Sequence, residues 1–246
     1  VFLKNLYFFK HFTFPGGLRL PEMKLTKDEA IQVAPAPKIA YVPFSQHTGI
    51  AAKPTVTKGS YVKIGARIGD AQGFISAHVH SPISGHVIGL REHPHPKLGT
   101  APTCIIDNDG KEEFAGPLNK YYNWTEASAE ELLETITAAG VTGQGGGSFP
   151  THVKLSPPAG KPVDTLIVNG CECEPMLTAD YRIMVELAAD IVEGAKIMQR
   201  VLNAEHLIIA VEENKAPAAP CLEEHIKTAE GTVKLVPTRY PMGSEN

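Results

Sequence analysis

The chain has 246 residues, with 23 Lys and Arg against 27 Asp and Glu, a formal net charge of −4, 43% hydrophobic residues and 20% charged ones. That is enough apolar material for a sizeable core in one or two domains, and the lack of a basic excess argues against nucleic acid as a partner. No apolar run approaches the roughly 18–20 residues that span a bilayer. The aromatic, basic stretch 1–14 lacks the long apolar centre and small-residue cleavage site of a signal peptide, so neither a membrane span nor export is expected.

Residues 1–30 read as an extended lead-in, punctuated by Phe14-Pro15-Gly16-Gly17 and Leu20-Pro21 too often for a long helix. Residues 31–117 read as an all-β domain. Short apolar runs such as Ala40-Tyr41-Val42, Tyr61-Val62, Val87-Ile88 and Ile105-Ile106 are separated by turn residues. Asp107-Asn108-Asp109-Gly110 predicts a hairpin, because Asn, Asp and Gly tolerate positive φ. Five histidines, His78, His80, His86, His93 and His95, lie within 18 residues of this domain. His78 and His80 share a face if their segment is a strand, which makes a possible metal pair. A closed site needs three or four converging ligands, and Pro94 and Pro96 predict a turn around His93 and His95. No metal site is expected, and the histidines read as exposed loop residues.

Residues 118–246 alternate helix and strand. Ser128-x-x-Glu131 is a capping box ahead of Leu132, Leu133, Ile136 and Ala139, with Gly140 as the stop. Thr165-Leu166-Ile167-Val168, Leu207-Ile208-Ile209-Ala210-Val211 and Val233-Lys234-Leu235-Val236 read as buried strands. Between the first two, Met184, Leu187, Ala188, Ile191, Val192, Ala195, Met198 and Leu202 repeat as one long amphipathic helix, and 217–229 reads as a shorter one. This β-α-β-α-β order predicts a small parallel sheet.

Three local features could carry chemistry. The first is Gly143-Gln144-Gly145-Gly146-Gly147-Ser148-Phe149-Pro150. Four glycines in five positions lose much backbone entropy on folding, so close approach of a ligand to exposed N–H groups would explain them; a flexible surface loop is the plainer alternative. The run is neither a Walker A loop nor a good dinucleotide fingerprint, since it follows a helix and no Gly-Lys-Ser/Thr is present. The second is Asn169-Gly170-Cys171-Glu172-Cys173-Glu174-Pro175, at the carboxyl end of a predicted parallel strand, where ligands bind in open α/β sheets. Glu172 and Glu174 could face ribose hydroxyls, a cation or a basic partner; they could equally be solvated charges before a helix N-terminus. Cys171 and Cys173 are too close in sequence for an unstrained disulfide. Cys104 and Cys221 are the only other cysteines, and no C-x-x-C exists, so the chain has no Cys₄ iron–sulfur run. The third feature is Lys154, a candidate phosphate or flavin-edge contact beside the glycine loop.

Taken together, these motifs resemble a known family. The stretch from Gly143 to Lys154 and the stretch from Asn169 to Pro175 are similar to the FMN- and NADH-binding core of the flavin-bearing subunit of respiratory complex I. Phe14-Pro15-Gly16-Gly17, the β-domain, Phe149-Pro150-Thr151-His152-Val153-Lys154-Leu155 and Glu172-Cys173-Glu174-Pro175 with Asp180-Tyr181-Arg182 resemble the RnfC component of the Rnf electron-transport complex, over essentially the whole chain. Gly59-x-x-Val62-x-x-Gly65 and Pro82-x-Ser84-Gly85-x-Val87 resemble a biotinyl/lipoyl-like barrel-sandwich hybrid. The carrier lysine expected near Phe74 or Ile75 is missing, so a docking or structural role is implied for that domain.

The resemblance implies an α+β two-domain fold. A lead-in over 1–30 precedes a barrel-sandwich domain over 31–117 and a Rossmann-like FMN/NADH-binding domain over 118–246 that stops short of its C-terminus. It places Gly143, Gly145, Gly146, Lys154, Asn169 and Glu172 at flavin-contacting positions, and Phe149 and Glu174 at nucleotide-contacting positions. Gly147 belongs to the same loop. Tyr240-Pro241-Met242-Gly243-Ser244-Glu245 looks like the start of a third cofactor motif, which adds Gly243 and Glu245. Cys171 and Gln144 stand where complex I has an acidic residue and an arginine. No side chain is assigned an acid–base role, because the flavin does the chemistry.

The implied function is an NADH/FMN-dependent oxidoreductase subunit. It would pass electrons between NAD(H), FMN and iron–sulfur centres in a membrane-bound ferredoxin–NAD oxidoreductase that moves ions. [4Fe-4S] clusters are expected only in a C-terminal part beyond this sequence. Implied partners are the other subunits of the complex, NADH and ferredoxin, with no nucleic acid. The implied place is the cytoplasmic side of the inner (cell) membrane, as a peripheral subunit. Two other readings are a binding or assembly module without cofactor, and a soluble relative that feeds electrons to a reductase.

Overall fold

The computed structural model describes residues 17–116, 123–144, 147–226 and 231–244. They pack as two units, one of residues 34–161 and one of residues 17–33 with 162–244.

The first unit holds β1 (Ile39–Pro43), β2 (Lys53–Pro54), β3 (Tyr61–Val62), β4 (Arg67–Asp70), β5 (Val79–His80), β6 (Gly85–His95) and β7 (Gly99–Asn108). An antiparallel sheet in the order β1-β7-β6-β3 and a smaller antiparallel one, β2-β4-β5, enclose a single core. Strand alternation explains it: Ala40 and Val42 point inward while Tyr41 between them is exposed. Phe44, Ile68, Val87, Cys104 and Ile106 fill the centre, each large aliphatic or aromatic side chain contributing about 1.5–3 kcal/mol by leaving water. Gly85 fixes the β6–β7 register, because a Cβ there would lie 1.9 Å from the Asp107 carbonyl.

Two expectations for this region are corrected. Residues 107–110 form a turn but no hairpin. The Asn108 carboxamide oxygen accepts from the Gly110 N–H and Asp109 from the Lys111 N–H, and the chain then runs parallel to Ile64 at Phe114 instead of returning along β7. His93 and His95 lie within β6, not in a turn. β3 covers only the Gly85–His86 end of β6, so Pro94 sits where the strand has a free edge and no ladder bond is lost.

Helix α1 (Ala129–Ala139) starts at the expected capping box: the Ser128 hydroxyl accepts from the Glu131 N–H and Glu131 accepts from the Ser128 N–H. It ends at Gly140, left-handed at φ 66°, where a Cβ would lie 2.2 Å from the His78 carbonyl. That close approach seats α1 against β5. The glycine-rich loop and the short helix α2 (Thr151–Lys154) follow in the same unit.

The second unit is a parallel sheet, β10-β9-β8, of β8 (Thr165–Gly170), β9 (His206–Glu212) and β10 (Gly231–Val236). Leu207, Ile209 and Val211 on one face of β9 pack against Met184 and Ala188, Val192 and Ala195, and Leu222 and Ile226. These belong to α3 (Ala179–Glu186), α4 (Ala188–Leu202) and α5 (Ala218–Ile226). The single long helix expected over 184–202 is two, broken at Leu187, which takes φ −126°, ψ 32°. The lead-in segment ties α3 down separately. Arg182 donates to the Lys27 carbonyl and pairs with Glu186, and Glu186 accepts from the Ile31 N–H. Leu18 and Tyr240 exchange backbone hydrogen bonds, so the lead-in also meets the chain after β10. Among the described residues no helix is long and apolar enough to cross a membrane.

Candidate functional site

The residues expected at the site fall into both units. Gly143, Gly147, Phe149 and Lys154 belong to residues 34–161, and Asn169, Glu172, Glu174 and Gly243 to the other unit. Gly145, Gly146 and Glu245 lie outside the described residues.

In the first unit, the glycine loop is closed at its base. The Gly143 N–H donates to the Phe149 carbonyl, the Thr151 N–H donates to the Val141 carbonyl, and Thr142 bridges Pro150. Two barrel loops hold it from the side. The Thr48 hydroxyl donates to the Gly147 carbonyl at 2.5 Å and the Thr48 N–H to the Ser148 carbonyl at 2.9 Å. His152 Nε2 lies 3.2 Å from the Phe74 carbonyl, with the two rings edge to face. Phe74 and Ile75, where the carrier lysine of a lipoyl-type domain would be sought, are exposed apolar residues. Gly143 is not among the residues of positive φ, and among the described residues a Cβ would meet nothing closer than 3.8 Å at Gly143 and nothing within 4 Å at Gly147. Among the described residues, packing calls for glycine at neither position.

The second unit builds the acidic loop after β8. Asn169 spans it: its carboxamide oxygen accepts from the Cys171 N–H, and its Nδ2 donates to the Gly243 carbonyl at 3.0 Å. The Gly243 N–H donates to Cys173 Sγ, and a Cβ on Gly243 would lie 2.8 Å from the Cys171 carbonyl. Here glycine is required by close backbone approach. Both thiols are free, and burial pushes the Cys171 thiol up to about 12, with the Glu212 carboxylate adding to the shift.

Glu172 turns inward. Its side chain is 2% exposed and accepts from the Asp180 N–H at 2.7 Å, near the start of α3. Lys24 of the lead-in lies 3.7 Å from its Oε2 and donates to the carbonyls of Glu172, Glu174 and Leu177. Lys215, in a 3₁₀ turn after β9, lies 4.0 Å from the same oxygen and donates to Glu212 at 2.6 Å. Two cations and two carboxylates therefore form one buried cluster. Burial holds the Glu172 carboxyl above the usual carboxylate range, against the pull of the Asp180 N–H and Lys24. Burial also lowers Lys24, with Lys215 beside it acting in the same direction. Glu174, by contrast, keeps its side chain out of this cluster.

Lys24, Glu212, Lys215 and Thr48 were not among the residues the sequence singled out. A lysine in a lead-in, a Glu-Glu-Asn-Lys run after a strand and a threonine in a β-loop look like surface residues until the topology places them. A cavity of about 310 Å³ opens beyond the carboxyl ends of the strands, lined among others by Arg19, Lys24, Cys173, Asn214, Arg239 and Tyr240. Arg239 Nε is buried there without a hydrogen-bond partner among the described residues. Among the described residues, no group of three or more His, Cys, Asp or Glu side chains could hold a metal ion. His78 instead sits 3.5 Å from Asp70 and accepts from the Ala71 N–H, its imidazolium disfavoured by burial.

Comparison with known proteins matches both halves of the chain. Residues 12–111 match the RnfC barrel sandwich hybrid domain, and residues 136–246 match the Nuo51 FMN-binding domain. The RnfC-type component of the proton-translocating ferredoxin:NAD(+) oxidoreductase complex of Clostridium ljungdahlii is 39% identical over 234 residues, 95% of this chain and 51% of that protein. Its counterpart in the Na(+)-translocating ferredoxin:NAD(+) oxidoreductase complex of Acetobacterium woodii is 36% identical over 96% of this chain and 54% of its own length. The corresponding component of the ion-translocating oxidoreductase complex of Rhodobacter capsulatus is 38% identical, over 95% of this chain and 46% of that protein. The chain thus spans about half the length of the curated relatives it matches. With a match to the RnfC barrel sandwich hybrid domain followed by a match to the Nuo51 FMN-binding domain, the chain is similar along nearly all of its length to the RnfC-type components of ion-translocating oxidoreductase complexes.

Proposed function

We propose that this chain carries the FMN- and NAD(H)-binding module of a ferredoxin–NAD oxidoreductase complex that moves ions, and passes electrons between NAD(H), FMN and iron–sulfur centres. The observation that carries the reading is the pair Gly143 and Gly147: no described atom comes within 3.8 Å of a Cβ at either, so approach of a ligand to the main chain would account for them. Bound FMN would supply the chemistry, accepting a hydride and releasing single electrons.

The protein's part is to bind and orient. Gly143, Gly145, Gly146 and Gly147 let the backbone approach a flat ring, and Lys154 offers a cation to phosphate or to the flavin edge. Phe149 offers a ring for the base of NAD(H) to stack on, and Glu174 accepts from ribose hydroxyls. Asn169 and Glu172 set the shape of the loop between β8 and α3, and Gly243 with Glu245 begins the third contact segment. The parallel sheet with its helices is read as Rossmann-like. The functional division is taken at 31–117 and 118–246; the family matches cover 12–111 and 136–246, and residues 34–161 pack as one unit. The iron–sulfur centres of this reading are assigned to no residue of this chain. The partners are the other subunits of the complex, NADH and ferredoxin, with the subunit peripheral on the cytoplasmic face of the membrane.

The test is a titration of the purified full-length protein with FMN, followed by flavin fluorescence and by thermal melting. Binding to the native state at about 100 times Kd raises stability by about 2.7 kcal/mol. An unchanged flavin signal together with an unchanged melting temperature refutes the reading and favours an assembly module without cofactor.

A further inference from the structure

The barrel-sandwich domain keeps its fold without a carrier lysine, and the contacts within residues 34–161 give it another task. Thr48, in the loop between β1 and β2, takes two successive carbonyls of the glycine-rich loop: its hydroxyl donates to Gly147 and its N–H to Ser148. A trans peptide points its C=O and its N–H in opposite directions. With the Gly147 and Ser148 carbonyls both turned to Thr48, the next N–H groups, those of Ser148 and Phe149, both point away from the barrel. Neither donates to another described residue. Ser148 takes φ 43°, in the left-handed region, the kind of turn that brings successive N–H groups to a common side and makes a concavity for anions or electron-rich ring atoms. Holding a non-glycine residue there costs energy, and the structure around it must supply the restraint.

The restraint comes from the barrel. Thr48 is placed by its neighbours: the His47 ring is buried, within hydrogen-bond distance of the Ile50 carbonyl and the Ser76 hydroxyl, and accepts from the Ala77 N–H. The Ile50 N–H donates to the Ile75 carbonyl. Gly49 permits this approach, since a Cβ there would lie 2.0 Å from that carbonyl. The loop that carries Thr48 is thus stitched to the 72–76 loop, the tip where a lipoyl-type domain would carry its lysine. The tip also reaches α2 through the Phe74 carbonyl and His152.

We infer that Thr48 is a positioning residue for the ligand of the glycine loop: it fixes the Gly147-Ser148-Phe149 peptides so that the Ser148 and Phe149 N–H groups face a bound flavin or its phosphate. The barrel-sandwich domain is then a rigid buttress for the cofactor loop. This rests on the FMN reading above and adds Thr48 and Ser148 to it.

The test compares wild type, Thr48→Val and Thr48→Ser in the full-length protein. Valine keeps the shape and the backbone N–H but loses the hydroxyl donor; serine keeps the donor. FMN affinity is measured by fluorescence titration, the melting temperature of the FMN-free protein by calorimetry, and amide hydrogen exchange over 143–155 by mass spectrometry. In Thr48→Val, FMN affinity is expected to fall about five- to tenfold, as for loss of one hydrogen bond. Exchange over 143–155 should quicken without a change in the FMN-free melting temperature, and Thr48→Ser should behave as wild type. Equal FMN affinity in wild type and Thr48→Val overturns the role of Thr48 and leaves the FMN reading standing. A fall in affinity matched by a lower melting temperature of the FMN-free protein also overturns it, since the effect is then on folding. If wild type itself does not bind FMN, the FMN reading fails and this inference fails with it.

Discussion

Replacing Lys215 by Met tests whether the buried charge cluster holds the acidic loop. The side chain of Lys215 is 4% exposed, and its ammonium donates to Glu212 at 2.6 Å, to Asn214 at 3.1 Å and to the Glu172 carbonyl at 3.1 Å. Methionine fills nearly the same volume but leaves the fully buried Glu212 without its cation and removes one of the two cations facing Glu172. Removing one partner of a buried ion pair costs about 3–5 kcal/mol, mostly because the other charge is stranded. At roughly 2–4 °C per kcal/mol for a chain of this size, the melting temperature should fall by about 6–20 °C. The double variant Glu212→Gln, Lys215→Met removes both charges and should recover part of the loss. Thermal melts of wild type and the two variants provide the assay. A loss under about 1 kcal/mol, or a double variant no more stable than Lys215→Met, refutes the claim that the pair is coupled and buried.

Other consequences are as direct. Gly140→Ala should destabilise the barrel unit by at least about 1–3 kcal/mol, since the left-handed backbone and the His78 carbonyl 2.2 Å from the new Cβ both resist it. Gly147→Ala, with no described atom within 4 Å of the added methyl, should leave the melting temperature unchanged while weakening FMN; the two variants measured side by side separate folding from ligand approach. Asp109 accepts from the Lys111 N–H, which together with the Ser84 and Tyr61 hydroxyls holds its carboxyl down at about 2 against an ordinary 3.8. Its contribution to stability is therefore present above pH 3.8 and lost as pH falls toward 2, and Asp109→Asn should flatten that acid limb in melts of the protein.

Much of the architecture was legible because local signals were strong. The capping box at Ser128 and Glu131 and the glycine stop at 140 stand where residue type dictates, and the apolar runs of β8, β9 and β10 form the parallel sheet their order implies. The misjudged parts depend on distant partners. The periodicity from Met184 to Leu202 is continuous in sequence, but the lead-in grips α3 through Arg182 and Glu186, and the helix breaks at Leu187. Asn108 and Asp109 satisfy their own turn, so it needs no returning strand. At the site, the glycine run and the Asn169–Pro175 motif were visible because their composition is unusual. Lys24, Lys215 and Thr48 were not, because an ordinary residue becomes a clamp only when its partner, some 40 to 150 positions away, is folded against it.

Anaerobic titration of FMN-loaded full-length protein with NADH, followed by flavin absorbance, tests the central claim most directly. Wild type should bleach stoichiometrically with bound flavin, and Gly147→Ala should bleach in proportion to the smaller amount of flavin it retains. Flavin that binds but is not bleached by NADH, or a Gly147→Ala variant that binds and bleaches as wild type does, would contradict the account.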